Sequence, residues 1–213
     1  MIFNDIEYIP PVILFLGIIL GLVYYSRLKN MPRILLLYLF VAFIIHMIGR
    51  ILAFYFNNNL ILIPIFGLLE LIILSSLYFK HLIVIKNKFW LIPIGFLILF
   101  NLIEIFMLVN VDPKDFFCIS RVLDSLAIVV MSIVFYIKLI ANDPKIKPSF
   151  LFLNSIVFAF QSLNLVLYLP INFLINVESD IKFHFWTTSL ILTSIFYIAI
   201  IRIIWIHGKN HKH

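Results

Sequence analysis

Apolar and polar positions fall in long blocks along this chain. Seven apolar runs occupy roughly residues 9–26, 33–56, 60–79, 88–109, 116–139, 149–171 and 183–206. The breaks between them are short: SRLKNMP, NNN, KHLIVIKNK, NVDPKD, ANDPKIKPS and NVESDIK. A helix needs about 20 mostly apolar residues to cross a bilayer core, and each run is close to that length. A helix also satisfies its own backbone hydrogen bonds, as hydrocarbon surroundings demand. The pattern predicts an all-α polytopic membrane protein, a seven-transmembrane-helix bundle in which residues 1–213 form a single domain.

Composition agrees. Hydrophobic residues make up 64% of the chain and charged residues 12%, with mean hydropathy +1.15. A soluble domain is nearer half apolar and a quarter charged. So little polar surface cannot cover so much apolar surface, and the lipid bilayer becomes the first expected partner. The N-terminal MIFNDIEYIPP is acidic and is followed by no small-residue cleavage site, so the first apolar run is expected to stay in place. The single cysteine, Cys118, excludes an intramolecular disulfide.

Charge sets an expected orientation. Arg27, Lys29, Arg33, Lys80, Lys86, Lys88, Lys138, Lys145, Lys147, Arg202, Lys209 and Lys212 belong to the first, third and fifth breaks and the tail. The N-terminal segment and the alternate breaks hold Lys114 and Lys182 against Asp5, Glu7, Asp112, Asp115, Glu178 and Asp180. By the positive-inside rule the N-terminus lies outside and the C-terminus in the cytoplasm. Trp90, Trp205, Tyr24, Tyr25 and Tyr78 are expected at the inner interface, and Tyr8, Tyr55 and Trp186 at the outer one. The basic balance is thus topological. It does not point to nucleic acid, because no domain exists to display the charge. The tail HGKNHKH reads as solvated, with no rigid metal geometry implied.

The runs nevertheless contain ionisable groups. His46 and Arg50 share a face at i, i+4 spacing, and Glu70 follows across the Asn turn at residues 57–59. At about 1.5 Å per residue, His46 and Glu70 each lie about 18 Å from that turn and Arg50 about 12 Å. A charge cluster of Arg50, Glu70 and His46 within this hairpin is the expectation. Further along come Asn101 and Glu104, then Arg121, Asp124 and Ser125, then a stripe of Asn154, Gln161 and Asn164, then His184, Thr187 and Thr188. A charge at the bilayer centre costs at least about 2.5–3.5 kcal/mol, so these groups should face one another. The expected ligand pocket, open to the outside, comprises His46, Arg50, Glu70, Glu104, Arg121, Asp124, Gln161, Asn164, His184 and Thr187. The competing reading is an ion-pair network that only fixes helix register. Gly17 and Gly21, in GIILG, predict close helix packing. Pro64, Pro93 and Pro170 are expected to shape or end helices.

Several chemistries are disfavoured. Zinc hydrolysis would want paired histidines on one helical face, and neither HxxxH nor HExxH occurs within the apolar runs. Seven-helix hydrolases of the ceramidase and adiponectin-receptor type carry such a pair in the last helix, where this chain has TTSLILTSIFYIAI. Serine chemistry finds no nucleophile-elbow glycines. A retinal Schiff base needs a lysine inside the bundle, and the last run has none between Lys182 and Lys209. No catalytic residue, metal or cofactor is assigned. A SWEET-like three-plus-one-plus-three transporter suits the topology, but runs 1 and 5 do not match as repeats.

The hairpin pattern H-x3-R-x6-NNN-x10-E, carried by His46, Arg50, residues 57–59 and Glu70, resembles that of small bacterial seven-helix membrane proteins. These are in turn similar to the membrane sensor heads associated with histidine kinases. The resemblance covers the second and third runs. It implies a ligand-sensing module in a bacterial cytoplasmic membrane, taking a small ligand from outside and acting through a cytoplasmic signalling protein. The alternative expectation is a small-solute transporter, with an intramembrane hydrolase behind it.

Overall fold

A computed structural model describes residues 7–56, 58–83, 91–109, 111–112, 115–142, 148–170 and 179–209. Among them are seven α-helices and no strand: α1 (Ile9–Val23), α2 (Asn30–Phe56), α3 (Leu62–Leu77), α4 (Leu91–Leu108), α5 (Ile119–Asn142), α6 (Pro148–Tyr168) and α7 (Ser179–Lys209). Each coincides with one predicted apolar run. Six are long and apolar enough to cross a membrane, α3 together with the π turn Tyr78–Leu82 that continues it. The exception, α1, has 15 residues, about 22 Å of rise against a core of about 30 Å. It stops before the predicted boundary because the chain leaves it through a 3₁₀ turn, Tyr25–Arg27, in which the Arg27 N–H donates to the Tyr24 carbonyl at 2.8 Å.

Proline marks the helix starts. Pro10, Pro32, Pro64, Pro93 and Pro148 all fall in first turns, where an N–H has no intrahelical partner to lose. Pro170 follows the end of α6. The α2–α3 turn is closed by Asn58, whose Oδ1 accepts the Leu60 N–H at 3.0 Å, and by the Leu62 N–H on the Asn59 carbonyl at 3.0 Å.

Packing neighbours define a closed ring in the order α1, α2, α3, α5, α6, α7 and back to α1, with α2 also touching α7. Helix α4 lies outside that ring against α3 and α5. Its outer face, with Phe96, Phe106 and Met107, is among the most exposed apolar surface of the chain. The ring closes tightly at α1. A Cβ on Gly17 would stand 2.5 Å from Ile201 Cγ1 of α7, and one on Gly21 would run into Leu36 of α2. These glycines permit the close approach expected of them.

The core centres on α3, where Leu71, Leu74, Leu77 and Tyr78 are fully buried. Beside it Tyr38 of α2 meets Phe196 of α7 edge-on at 5.7 Å, and Phe160 of α6 stacks on Phe196 at 4.0 Å. Gly208 of α7 packs against Tyr24, and Leu28, Arg33, His81, Phe150 and His207 line one cavity, so the α1–α2 link, the π turn after α3, the start of α6 and the end of α7 share one end of the bundle. The α2–α3 turn and the α4–α5 link share the opposite end, here called the turn end.

Candidate functional site: a buried polar network at the turn end

Glu70 lies two helical turns into α3 on its buried side, and none of its surface is exposed. Its Oε2 accepts from Arg121 Nη1 at 2.6 Å, and its Oε1 accepts from the Tyr38 hydroxyl at 2.7 Å. The Glu70–Arg121 contact is the single ion pair among the described residues. Arg121 stands in the first turn of α5 and is 2% exposed. Its guanidinium carbon lies 5.5 Å from the Phe66 ring and 5.1 Å from the Tyr168 ring, so two aromatic faces flank the charge. Gly67 makes the approach of α3 to α5 possible. A Cβ there would stand 2.9 Å from Asp124 Oδ2 and 3.1 Å from Arg121 Cδ.

The expected hairpin cluster does not form. Glu70 takes Arg121, not Arg50, as its counter-ion. At 100° per residue Arg50 sits about 120° round α2 from Tyr38, the residue of that helix that reaches Glu70. That rotation turns Arg50 toward the segment before α1, where its guanidinium covers the Tyr8 ring at 3.8 Å. His46, one turn earlier, pairs its Nε2 with the Tyr197 hydroxyl of α7 at 3.3 Å.

Glu104 also has a separate task. Its Oε1 accepts the Ile119 N–H at 2.8 Å and its Oε2 the Ser120 N–H at 2.9 Å. A carboxylate from α4 thus caps α5, occupying two orphan donors at the positive end of the helix dipole. The Cys118 thiol faces the same carboxylate at 3.7 Å. Burial pushes that thiol up to about 11.

Asp124, Gln161 and Asn164 are all buried, as a lined interior requires. Asp124 Oδ1 accepts from Asn101 Nδ2 at 2.9 Å. Among the described residues its Oδ2 has no partner, and neither do Asn101 Oδ1, Ser125 Oγ, both amide atoms of Gln161, Asn164 Nδ2 and Thr187 Oγ1. Helical register relates two of these groups. Ser132 and Asn154 meet across α5 and α6, with Oγ donating to Oδ1 at 2.9 Å. Ser125 lies two turns from Ser132, and Gln161 two turns from Asn154, along the same antiparallel faces. The first pair is satisfied; the Ser125 and Gln161 side chains are not. His184 stands apart, exposed near the start of α7, with its ring against Phe183.

The structure therefore brings Glu70, Arg121 and Asp124 together, buries Gln161 and Asn164 on the neighbouring α6, and separates off His46, Arg50, Glu104 and His184. Sequence reasoning does not single out the tyrosines Tyr38, Tyr168 and Tyr197. Tyr78 is a correction to the expected interfacial belt, since it is fully buried and donates to Asn154 Oδ1 at 2.8 Å. Tyr38 and Tyr197 sit between apolar neighbours deep in their runs, where a phenol needs a partner. That was the available signal. Among the described residues no three His, Cys, Asp or Glu side chains group as a metal site would need.

No protein-family model, curated protein or solved structure matches this chain.

Proposed function

We propose that this chain is a receptor-like membrane module that holds a small polar ligand inside its bundle, beside the Arg121–Glu70 pair, and passes the occupied state to a cytoplasmic signalling protein. The reading is carried by buried polar atoms without a partner among the described residues on Asp124, Ser125, Gln161 and Asn164 of the neighbouring helices α5 and α6, with Asp124 beside the desolvated ion pair. Each such atom left unpaired costs about 1–3 kcal/mol, so a hydrogen-bonding guest is stabilising there. Intramembrane ionisable groups ordinarily mark function. The proposed setting is a bacterial cytoplasmic membrane with the turn end outside, as the lysine and arginine distribution argues.

Transport is the second reading, favoured by Asp124. A buried carboxylate with one free oxygen is the group a proton-coupled carrier uses. One experiment separates the two. Purified protein is screened by thermal shift against amino acids, sugars and short carboxylates, and any hit is followed in sealed proteoliposomes. Saturable binding without net uptake, lost in Gln161→Leu, is expected for the receptor. Uptake that collapses with a protonophore and disappears in Asp124→Asn would replace it with the carrier. No saturable binding of any class would remove both.

A further inference from the structure

The opposite end of the bundle carries a second site, independent of the polar network. A cavity of about 530 Å³ opens where the α1–α2 link, the end of α3, the start of α6 and the end of α7 meet. Four basic or imidazole side chains line it: Lys29, Arg33, His81 and His207. None of its described lining residues is acidic. Its wall is completed by apolar residues, among them Leu28 and Met31, 2% and 4% exposed, and Phe150.

The donors are available. The Lys29 ammonium has no partner among the described residues and is exposed. Arg33 is exposed, and its guanidinium carbon lies 5.0 Å from the Tyr25 ring. Contact with a ring face holds a guanidinium in place while leaving N–H donors for a phosphate. His207 engages its Nδ1 with the Ile203 carbonyl at 2.9 Å, which leaves Nε2 as its free edge. Two other cations at this end are committed elsewhere: Lys138 donates to the Ile83 carbonyl at 2.9 Å, and Lys209 lies over Trp205. The cavity is far larger than a lone ion needs and falls in the range of ligand pockets. It sits at the ends of membrane-length helices, with exposed Tyr25 and Trp205 nearby. Those aromatics mark the level of lipid headgroups.

We infer that this cavity binds the phosphate headgroup of an anionic membrane phospholipid, with Lys29 and Arg33 as its charge contacts and Leu28, Met31 and Phe150 against the apolar part of the lipid. Basic pockets between helix ends suit such headgroups.

The test uses the full chain in nanodiscs and native mass spectrometry, comparing phosphatidylglycerol with phosphatidylcholine. One phosphatidylglycerol should stay bound in preference to phosphatidylcholine. Each surface cation contributes about fivefold, so Lys29→Gln with Arg33→Gln should weaken retention about 25-fold. Arg27→Gln, outside the cavity, should leave it unchanged, and Arg33→Lys should keep most of it. Circular dichroism and a single gel-filtration peak check the fold of each variant; a misfolded double variant is replaced by Lys29→Gln alone, with about a fivefold loss expected. Equal retention of phosphatidylcholine, or a well-folded variant that binds like the wild type, would overturn the inference. Displacement of the lipid by millimolar glycerol 3-phosphate would assign the pocket to a soluble phosphate compound and overturn the lipid assignment.

Discussion

Single side chains decide where charge rests in this protein. Glu70 is held by one cation and one phenol, and both are buried. Removing one partner of a buried pair leaves an uncompensated charge, typically costing about 3–5 kcal/mol, whereas removing both abolishes the penalty. Glu70→Gln and Arg121→Met should therefore each lower the melting temperature strongly, and the double variant should recover most of the loss. Strictly additive effects would mean that the two groups are not coupled. Arg50→Met is the control. Half-buried itself, it forfeits a contact with the exposed Tyr8 ring worth about 0.5–2 kcal/mol and should couple to neither residue. Cys118 supplies a chemical readout. Its thiol, 2% exposed and pushed up to about 11 by burial, is almost wholly protonated at pH 8. Since thiolate is the reactive form, iodoacetamide should modify the folded protein slowly, with the rate still climbing above pH 10. Fast labelling at pH 8 would contradict the burial.

At the scale of elements, polar side chains act as clamps between helices. Glu104 joins α4 to the start of α5, an attachment that matters because α4 has only α3 and α5 as principal neighbours. Loss of a helix cap costs about 0.5–2 kcal/mol. Glu104→Ala should lose about that much stability and should also speed Cys118 alkylation, since it removes a negative charge beside the thiol. Asn154 ties α3, α5 and α6 together by accepting from Tyr78 and Ser132 and donating to the Ser132 carbonyl at 3.3 Å. Asn154→Leu should strand the buried Tyr78 hydroxyl, at about 1–3 kcal/mol, while the Ser132 hydroxyl keeps the residue 154 carbonyl at 3.5 Å, and Tyr78→Phe in that background should restore part of the loss. Gly67→Ala pushes a methyl toward Asp124 and Arg121, and overpacking of this kind costs about 1–3 kcal/mol. An unchanged melting temperature for Gly67→Ala would show that α3 and α5 are free to separate.

For the whole molecule, the helix order matters as much as the helices. Six of them close a ring and α4 stays outside it, so apolar substitutions on the outer face of α4, such as Phe106→Leu, should be nearly silent. Reporter fusions test the proposed orientation. A fusion at residues 112–114 should report the outside and one at residues 145–147 the cytoplasm. The reverse result would turn the polar network to the cytoplasm and the basic cavity to the outer leaflet. It would remove the external-ligand reading while leaving the buried hydrogen bonds as they are.

The sequence by itself determined the number, type and approximate ends of the helices. Apolar blocks of spanning length admit little else, and prolines and Asn-rich breaks punctuate them. It also marked Glu70, Arg121, Asp124, Gln161 and Asn164 as polar groups that an apolar surrounding would force inward. Partner choice was decided only in the folded bundle. It depends on the rotation of each helix about its axis and on which helices become neighbours, and a uniformly Ile- and Leu-rich surface encodes both weakly. The pairing of Glu70 with Arg121 arose because α3 packs against α5, with Gly67 between them. Glu104 became a cap because α4 ends beside the start of α5. The tyrosines entered the polar network because a hydroxyl deep in such a bundle must find an acceptor, whichever helix happens to supply it.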